Sequence, residues 1–83
     1  MITFKDDDAN FLKWTRENAN GFVLAIRKRR EGMRHAADCA DLTESFGAST
    51  AMTRKLKLCA LDSSELGKWA SDNDVQVTIC ADC

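Results

Sequence analysis

Five side chains of this 83-residue sequence could ligate a metal ion or do thiol chemistry: the single histidine, His35, and the four cysteines, Cys39, Cys59, Cys80 and Cys83. Four of them form two short pairs, His35-x-x-x-Cys39 and Cys80-x-x-Cys83. Structural zinc sites are usually tetrahedral, and their ligands arrive in such pairs because one tight turn of backbone can present two donors to one ion. An imidazole and three thiolates fill the coordination shell and leave no place for water, so the expectation is a structural Zn2+ at His35, Cys39, Cys80 and Cys83. Cys59 is a fifth candidate for four positions. Strand alternation sets it on the face of Lys55 and Lys57, away from Leu56 and Leu58, as a spare thiol or a neighbour of the site. A four-cysteine site without His35 is the alternative.

Cys80 and Cys83 could instead be a redox pair. Thioredoxin-like motifs follow a strand and open a helix whose N-terminus lowers the pKa of the nucleophile. Here the sequence stops at Cys83, so thiol redox chemistry is the second reading rather than the first. With the only histidine assigned to the metal, and with no phosphate-binding glycine loop or nucleophile motif, hydrolysis has no visible apparatus. The expectation is a protein that is not an enzyme.

The elements that must position these ligands are short. Asp6 to Asn18 reads as a first helix, with acidic residues in its opening turn and Phe11, Leu12 and Trp14 on one side, stopped by the glycine of Asn18 to Gly21. Phe22 to Lys28 is rich in β-branched and aromatic residues and reads as a strand. It leads through a turn near Glu31 and Gly32 into a second strand, Met33 to Ala36, that delivers His35. A short turn or helix carries Cys39 and ends near Leu42, and Thr43 to Thr53 reads as a mobile loop. Lys55 to Cys59 alternates polar and apolar as a half-buried strand facing Leu56 and Leu58 inward. Asp62, with Glu65 three residues later, starts a second helix running to about Ser71, with Leu66, Trp69 and Ala70 as its core side. Val75 to Ile79 is a last strand that hands the chain to Cys80. The predicted fold class is α+β: one domain over residues 1–83, with an N-terminal helix, a short antiparallel sheet containing a hairpin, a second helix and a C-terminal CxxC.

A chain of this size has a thin core, and a metal is one of the usual remedies. The acidic start, Met1 to Asp8, has no signal-peptide character, and no stretch approaches a membrane span. A cytoplasmic, reducing location is therefore expected, which favours metal ligation over disulfides. Twelve basic against thirteen acidic residues give a net charge of −1, excluding a generally basic nucleic-acid binder. Arg27, Lys28, Arg29, Arg30 and Arg34 nevertheless concentrate five of the basic residues in eight positions, at what the strand reading makes a hairpin end.

From Phe22 to Cys83, the order strand, turn, His35-x-x-x-Cys39, strand, helix, strand, Cys80-x-x-Cys83 resembles the Ada-type metal-binding domain of DNA-repair proteins. The resemblance implies zinc bound by the two pairs. In that family the first cysteine also accepts a methyl group from DNA phosphotriesters. His35 stands in its place, and an imidazole cannot act as that thiolate, so the repair activity is not implied. The chain also looks like a group of small uncharacterised bacterial proteins, through Phe11 to Trp14, Asn20 to Leu24, His35 with Cys39, Lys57 to Cys59, Trp69-Ala70 and the final Cys80 and Cys83. Their pattern includes a cysteine at the Cys59 position and supplies no activity.

The sequence thus predicts a small zinc-stabilised binding module. Its basic hairpin, Arg27 to Arg30 with Arg34, would meet nucleic acid or an acidic protein, and no membrane.

Overall fold

The computed structural model describes residues 1–39 and 55–81. The expected loop from Thr43 to Thr53, the end of the Cys39 turn, and Cys83 lie outside the described residues. In chain order the elements are β1 (Ile2–Phe4), α1 (Asp8–Glu17), β2 (Phe22–Lys28), β3 (Glu31–Ala36), β4 (Lys57–Ala60), α2 (Ser63–Asp72) and β5 (Gln76–Ile79). The strands form one sheet in the order β1-β4-β2-β3-β5. The fold is α+β, as the sequence implies. The sheet is mixed rather than antiparallel throughout, because β5 runs parallel to β3 while every other pair is antiparallel.

Local chemistry accounts for the helices. The Asp7 carboxylate accepts from the Asn10 backbone N–H at 3.5 Å and from the Asn10 side-chain amide at 2.8 Å, capping α1. Asn18 ends α1 by donating its backbone and side-chain N–H groups to the Trp14 carbonyl. At α2 the Asp62 carboxylate accepts from the Ser64 N–H at 2.9 Å, so the cap falls where the sequence places it. Glu65 does not close a reciprocal capping box, since its carboxylate lies 3.5 Å from the Met1 ammonium.

The hairpin turn is displaced from its predicted position. It falls at Arg29 and Arg30, and β3 begins at Glu31. Arg30 itself adopts the left-handed backbone, with φ of 67°, a role that composition would assign to glycine. Gly32 instead lies within β3, where a Cβ would come 2.9 Å from the Leu24 Cδ1 atom. The glycine read as a turn signal permits close packing inside the sheet.

Successive residues of a strand face opposite sides of the sheet, and both sides are covered here. Among the described residues one helix serves each side. Phe11 of α1 packs with Val23, Ala37, Cys39, Cys59 and Cys80, flanked by Phe4, Trp14 and Met33. Leu66 and Ala70 of α2 pack with Leu24, Leu58 and Ala60, flanked by Phe22, Ile26 and Trp69. All four residues of β4 are therefore buried, where the sequence predicts a half-buried strand. The face carrying Lys57 and Cys59, expected to look outward, is covered by α1, and β1 pairs along the outer side of β4 so that β4 is not an edge strand.

Candidate metal centre

The α1 side of the sheet carries a row of side chains set by pairing register. Ile2 of β1 faces Cys59 of β4, Cys59 faces Val23 of β2, and Val23 faces His35 of β3. Arg34 is registered with Ile79 of β5, so the next position of each strand places Cys80 beside His35. The Cys80 N–H donates to the Arg34 carbonyl at 3.0 Å, extending the parallel ladder past the end of β5. His35 and Cys80 are neighbours because β3 and β5 run side by side in the same direction.

Cys39 joins them through the turn that follows β3. The Ala37 N–H donates to the Gly21 carbonyl at 2.9 Å, and the Cys39 N–H donates to the Ala36 carbonyl at 3.0 Å. These bonds fold the chain back over the ends of β2 and β3. Gly21 allows the approach, since a Cβ there would meet the Trp14 Cη2 atom at 2.7 Å and two carbonyl oxygens at 3.1 Å.

The result is a compact donor set. One ligand atom each from His35, Cys39 and Cys80 lie within 4.8 Å of one another, and all three residues are buried. Zn–S and Zn–N bonds of about 2.3 and 2.1 Å in a tetrahedron place ligand atoms roughly 3.4–3.8 Å apart, so small side-chain adjustments bring the three onto one ion. Two thiolates and a neutral imidazole also suit a divalent cation electrostatically, because their two negative charges offset its two positive ones where water is excluded. This group can hold a metal ion. Of the residues predicted as ligands, the structure thus brings together His35, Cys39 and Cys80, and the fourth, Cys83, lies outside the described residues.

Cys39 is disulfide-bonded, whereas Cys59 and Cys80 are thiols. A disulfide sulfur has no thiolate charge to give a cation, so oxidation of Cys39 and metal ligation by Cys39 are mutually exclusive states of the same residue.

Cys59 is set apart from the group. It shares the row with His35, but the whole of β2, with Val23, stands between them, and two strand spacings are about 9.5 Å. Its surroundings are those of a core thiol. It is fully buried, and burial pushes its pKa up to about 12, with nearby Lys57 only partly offsetting this. A thiol so far from its anionic form is a poor nucleophile. Lys57 is also buried on this face, and burial draws its pKa down, assisted by Lys55 and opposed by Asp8 and Cys59. Sequence reasoning did not anticipate a buried lysine here, because β1 is only three residues long and carries no strand signal of its own.

The predicted partner-binding arginines are divided. Arg27, Arg29 and Arg30 are exposed at the hairpin end, with Arg30 3.4 Å from Asp74. The Lys55 ammonium donates to the Arg27 carbonyl, adding a further cation there. Arg34 lies roughly 10 Å along β3 from Glu31, where its guanidinium sits 5.5 Å from the centre of the Phe22 ring. Arg34 therefore belongs to the opposite end of the hairpin, and of Lys28 only its place in β2 is described.

Among the described residues no helix is long and apolar enough to cross a membrane. Comparison with models of protein families, with curated proteins and with solved structures finds no match for this chain.

Proposed function

We propose that the protein is a small, non-catalytic binding module whose fold is locked by one Zn2+ held by His35, Cys39, Cys80 and Cys83. The single observation behind this reading is the buried convergence of His35 and Cys39, from β3 and the turn after it, with Cys80 from the end of β5. Cys83 enters by its spacing from Cys80, as the fourth donor that a closed tetrahedral site requires. The layout shared with the Ada-type domain points to the same ligand pairs. Such an ion supplies cross-linking rather than chemistry, since a filled shell has no position for substrate. Structural zinc contributes about 10–16 kcal/mol in zinc-finger peptides, comparable to the whole stability of a small domain.

The working surface in this reading is the hairpin end with Arg27, Arg29 and Arg30, and the partner is anionic. Nucleic acid is the first candidate. Three phosphate contacts would give a slope of log affinity against log salt of about −2.7 on duplex DNA. Fluorescence anisotropy of labelled duplex and single-stranded oligonucleotides at several salt concentrations tests this, with Arg27→Glu and Arg29→Glu expected to abolish binding. Salt-independent binding, or none, would remove nucleic acid and leave an acidic protein as the partner.

The second reading is thiol redox chemistry by the C-terminal pair Cys80 and Cys83, favoured by the disulfide sulfur of Cys39 lying within 4.8 Å of the Cys80 thiol. Thiol titration before and after chelation separates the two. Thiols masked until a chelator is added support zinc, whereas fast-reacting thiols on metal-free protein support redox chemistry.

A further inference from the structure

At its hairpin end the α1 side of the sheet holds a small polar cleft, set apart from the donor set. It has a volume of about 170 Å3 and is lined by Arg27, Glu31, Gly32, Met33, Gln76 and Thr78. Sites for drug-sized ligands begin at about 300 Å3, so this cleft suits a smaller molecule. Arg27, Glu31, Gln76 and Thr78 are exposed, and a ligand reaches them without any part of the fold having to open.

Pairing register builds the cleft. Glu31 is registered with Gln76 and Met33 with Thr78, and residues two apart on a strand share a face. These four therefore stand on the face of His35 and Cys80, nearer the hairpin turn. Met33 is half-buried and packs against the α1 cluster, so the cleft has one apolar wall already held by the core. On the β2 side the register shifts between Ile26 and Lys28, which leaves Arg27 in a bulge. Bulges re-aim a side chain and recur beside functional sites, and the bulged residue here supplies the cleft with its guanidinium.

Arg27 and Glu31 bring opposite charges to this one cleft, yet among the described residues neither side chain makes an ion pair. Arg30 and Asp74, at the same end of the sheet, instead hold each other at 3.4 Å. A simple anion entering the cleft would meet the Glu31 carboxylate, and a simple cation would meet the Arg27 guanidinium. A zwitterion satisfies both. The guanidinium fork takes a carboxylate through two parallel hydrogen bonds, and the Glu31 carboxylate, Gln76 amide oxygen and Thr78 hydroxyl can accept the three hydrogens of an ammonium group. Arg27 and Glu31 belong to adjacent strands, which lie about 4.8 Å apart. The two charges of the ligand must therefore be close together, as they are when both groups sit on one carbon.

We propose that this cleft binds a free α-amino acid, with the ligand carboxylate on Arg27 and its ammonium on Glu31, Gln76 and Thr78. Met33 is left to meet a short side chain. The site uses no metal ligand, and it shares only Arg27 with the surface proposed above for an anionic partner. Glu31 distinguishes the two, because an amino acid needs its carboxylate and an anionic partner is repelled by it.

NMR titration of the full chain with L-alanine, followed through backbone amide shifts, tests the proposal. Saturable shifts centred on Gly32, Met33, Gln76 and Thr78 are expected. L-Alaninamide, which lacks the carboxylate, and L-lactate, which has a hydroxyl in place of the ammonium, should each bind roughly tenfold more weakly or worse. Arg27→Gln and Glu31→Gln should weaken alanine binding by a similar factor, with folding checked by circular dichroism. Glu31→Gln keeps every arginine of the hairpin end, so it should leave binding of a labelled oligonucleotide undiminished while alanine binding falls. Should a variant fail to fold, the comparison of the three ligands on the parent protein decides the matter. No saturable shift with alanine, shifts centred elsewhere, lactate or alaninamide binding as tightly as alanine, or a folded Glu31→Gln protein that binds alanine like the parent would overturn it.

Discussion

Raising the pH should destabilise this protein through Cys59, and the size of the effect follows from burial. The thiol has a reference pKa of 9.0 and is pushed up to about 12 in the folded chain. Between those values the unfolded state loses a proton that the native state keeps, so stability falls as pH rises. At about pH 10.5 the loss from this one group is about 2 kcal/mol, approaching 4 kcal/mol once the folded thiol itself titrates. Lys57 acts in the opposite sense. Its folded pKa lies below 10.5, so in the window between its folded and unfolded values the native state has shed a proton the unfolded state retains, and stability rises. Comparing the parent with Cys59→Ala separates the two, because Lys57 is common to both. The variant should be weaker near neutrality by about 1 kcal/mol, from the small cavity left by the sulfur. Urea unfolding at matched metal content, from neutral pH to about pH 10.5, should then show the parent losing stability relative to Cys59→Ala. Parallel pH profiles for the two proteins would refute the assignment of Cys59 as a buried protonated thiol.

Other substitutions separate site from scaffold. His35→Ala and Cys80→Ser should each lower metal content per chain, measured by elemental analysis, whereas Cys59→Ala should leave it unchanged. Gly21→Ala forces a methyl against Trp14 and two carbonyl oxygens and should cost about 1–3 kcal/mol in urea unfolding. Gly67→Ala, in the exposed interior of α2 with nothing within 4 Å of its would-be Cβ, should gain about 1 kcal/mol by the same measurement. Asp62 is held below its ordinary pKa by the Ser64 backbone N–H and then by the Ser64 side chain. Its contribution is present above the ordinary carboxylate pKa and lost as pH falls through the folded value, so Asp62→Ala should destabilise at neutral pH and have no effect in strong acid.

Much of this architecture was legible from short-range chemistry. Asp62 before an apolar stripe predicts α2 to within a residue or two, and the β-branched run after Gly21 predicts β2. His35 and Cys39 are also predictable as a pair, because four residues of chain following a strand can turn two donors together. Partnership between strands far apart in sequence was not legible. Nothing in Val75 to Ile79 announces that it lies parallel to β3, yet that register is what sets Cys80 beside His35. The burial of Lys57 and Cys59 depends on β1, whose three residues give no periodicity to read. The hairpin turn was misplaced because Gly32 looks like a turn residue, while the left-handed position is taken by Arg30.

Native mass spectrometry combined with elemental analysis, before and after a strong chelator and with circular dichroism on the same samples, tests the metal-built fold most directly. One zinc ion per chain, with loss of folded signal once it is withdrawn under reducing conditions, is the predicted result. A reduced, metal-free chain that keeps its full circular dichroism spectrum would contradict it.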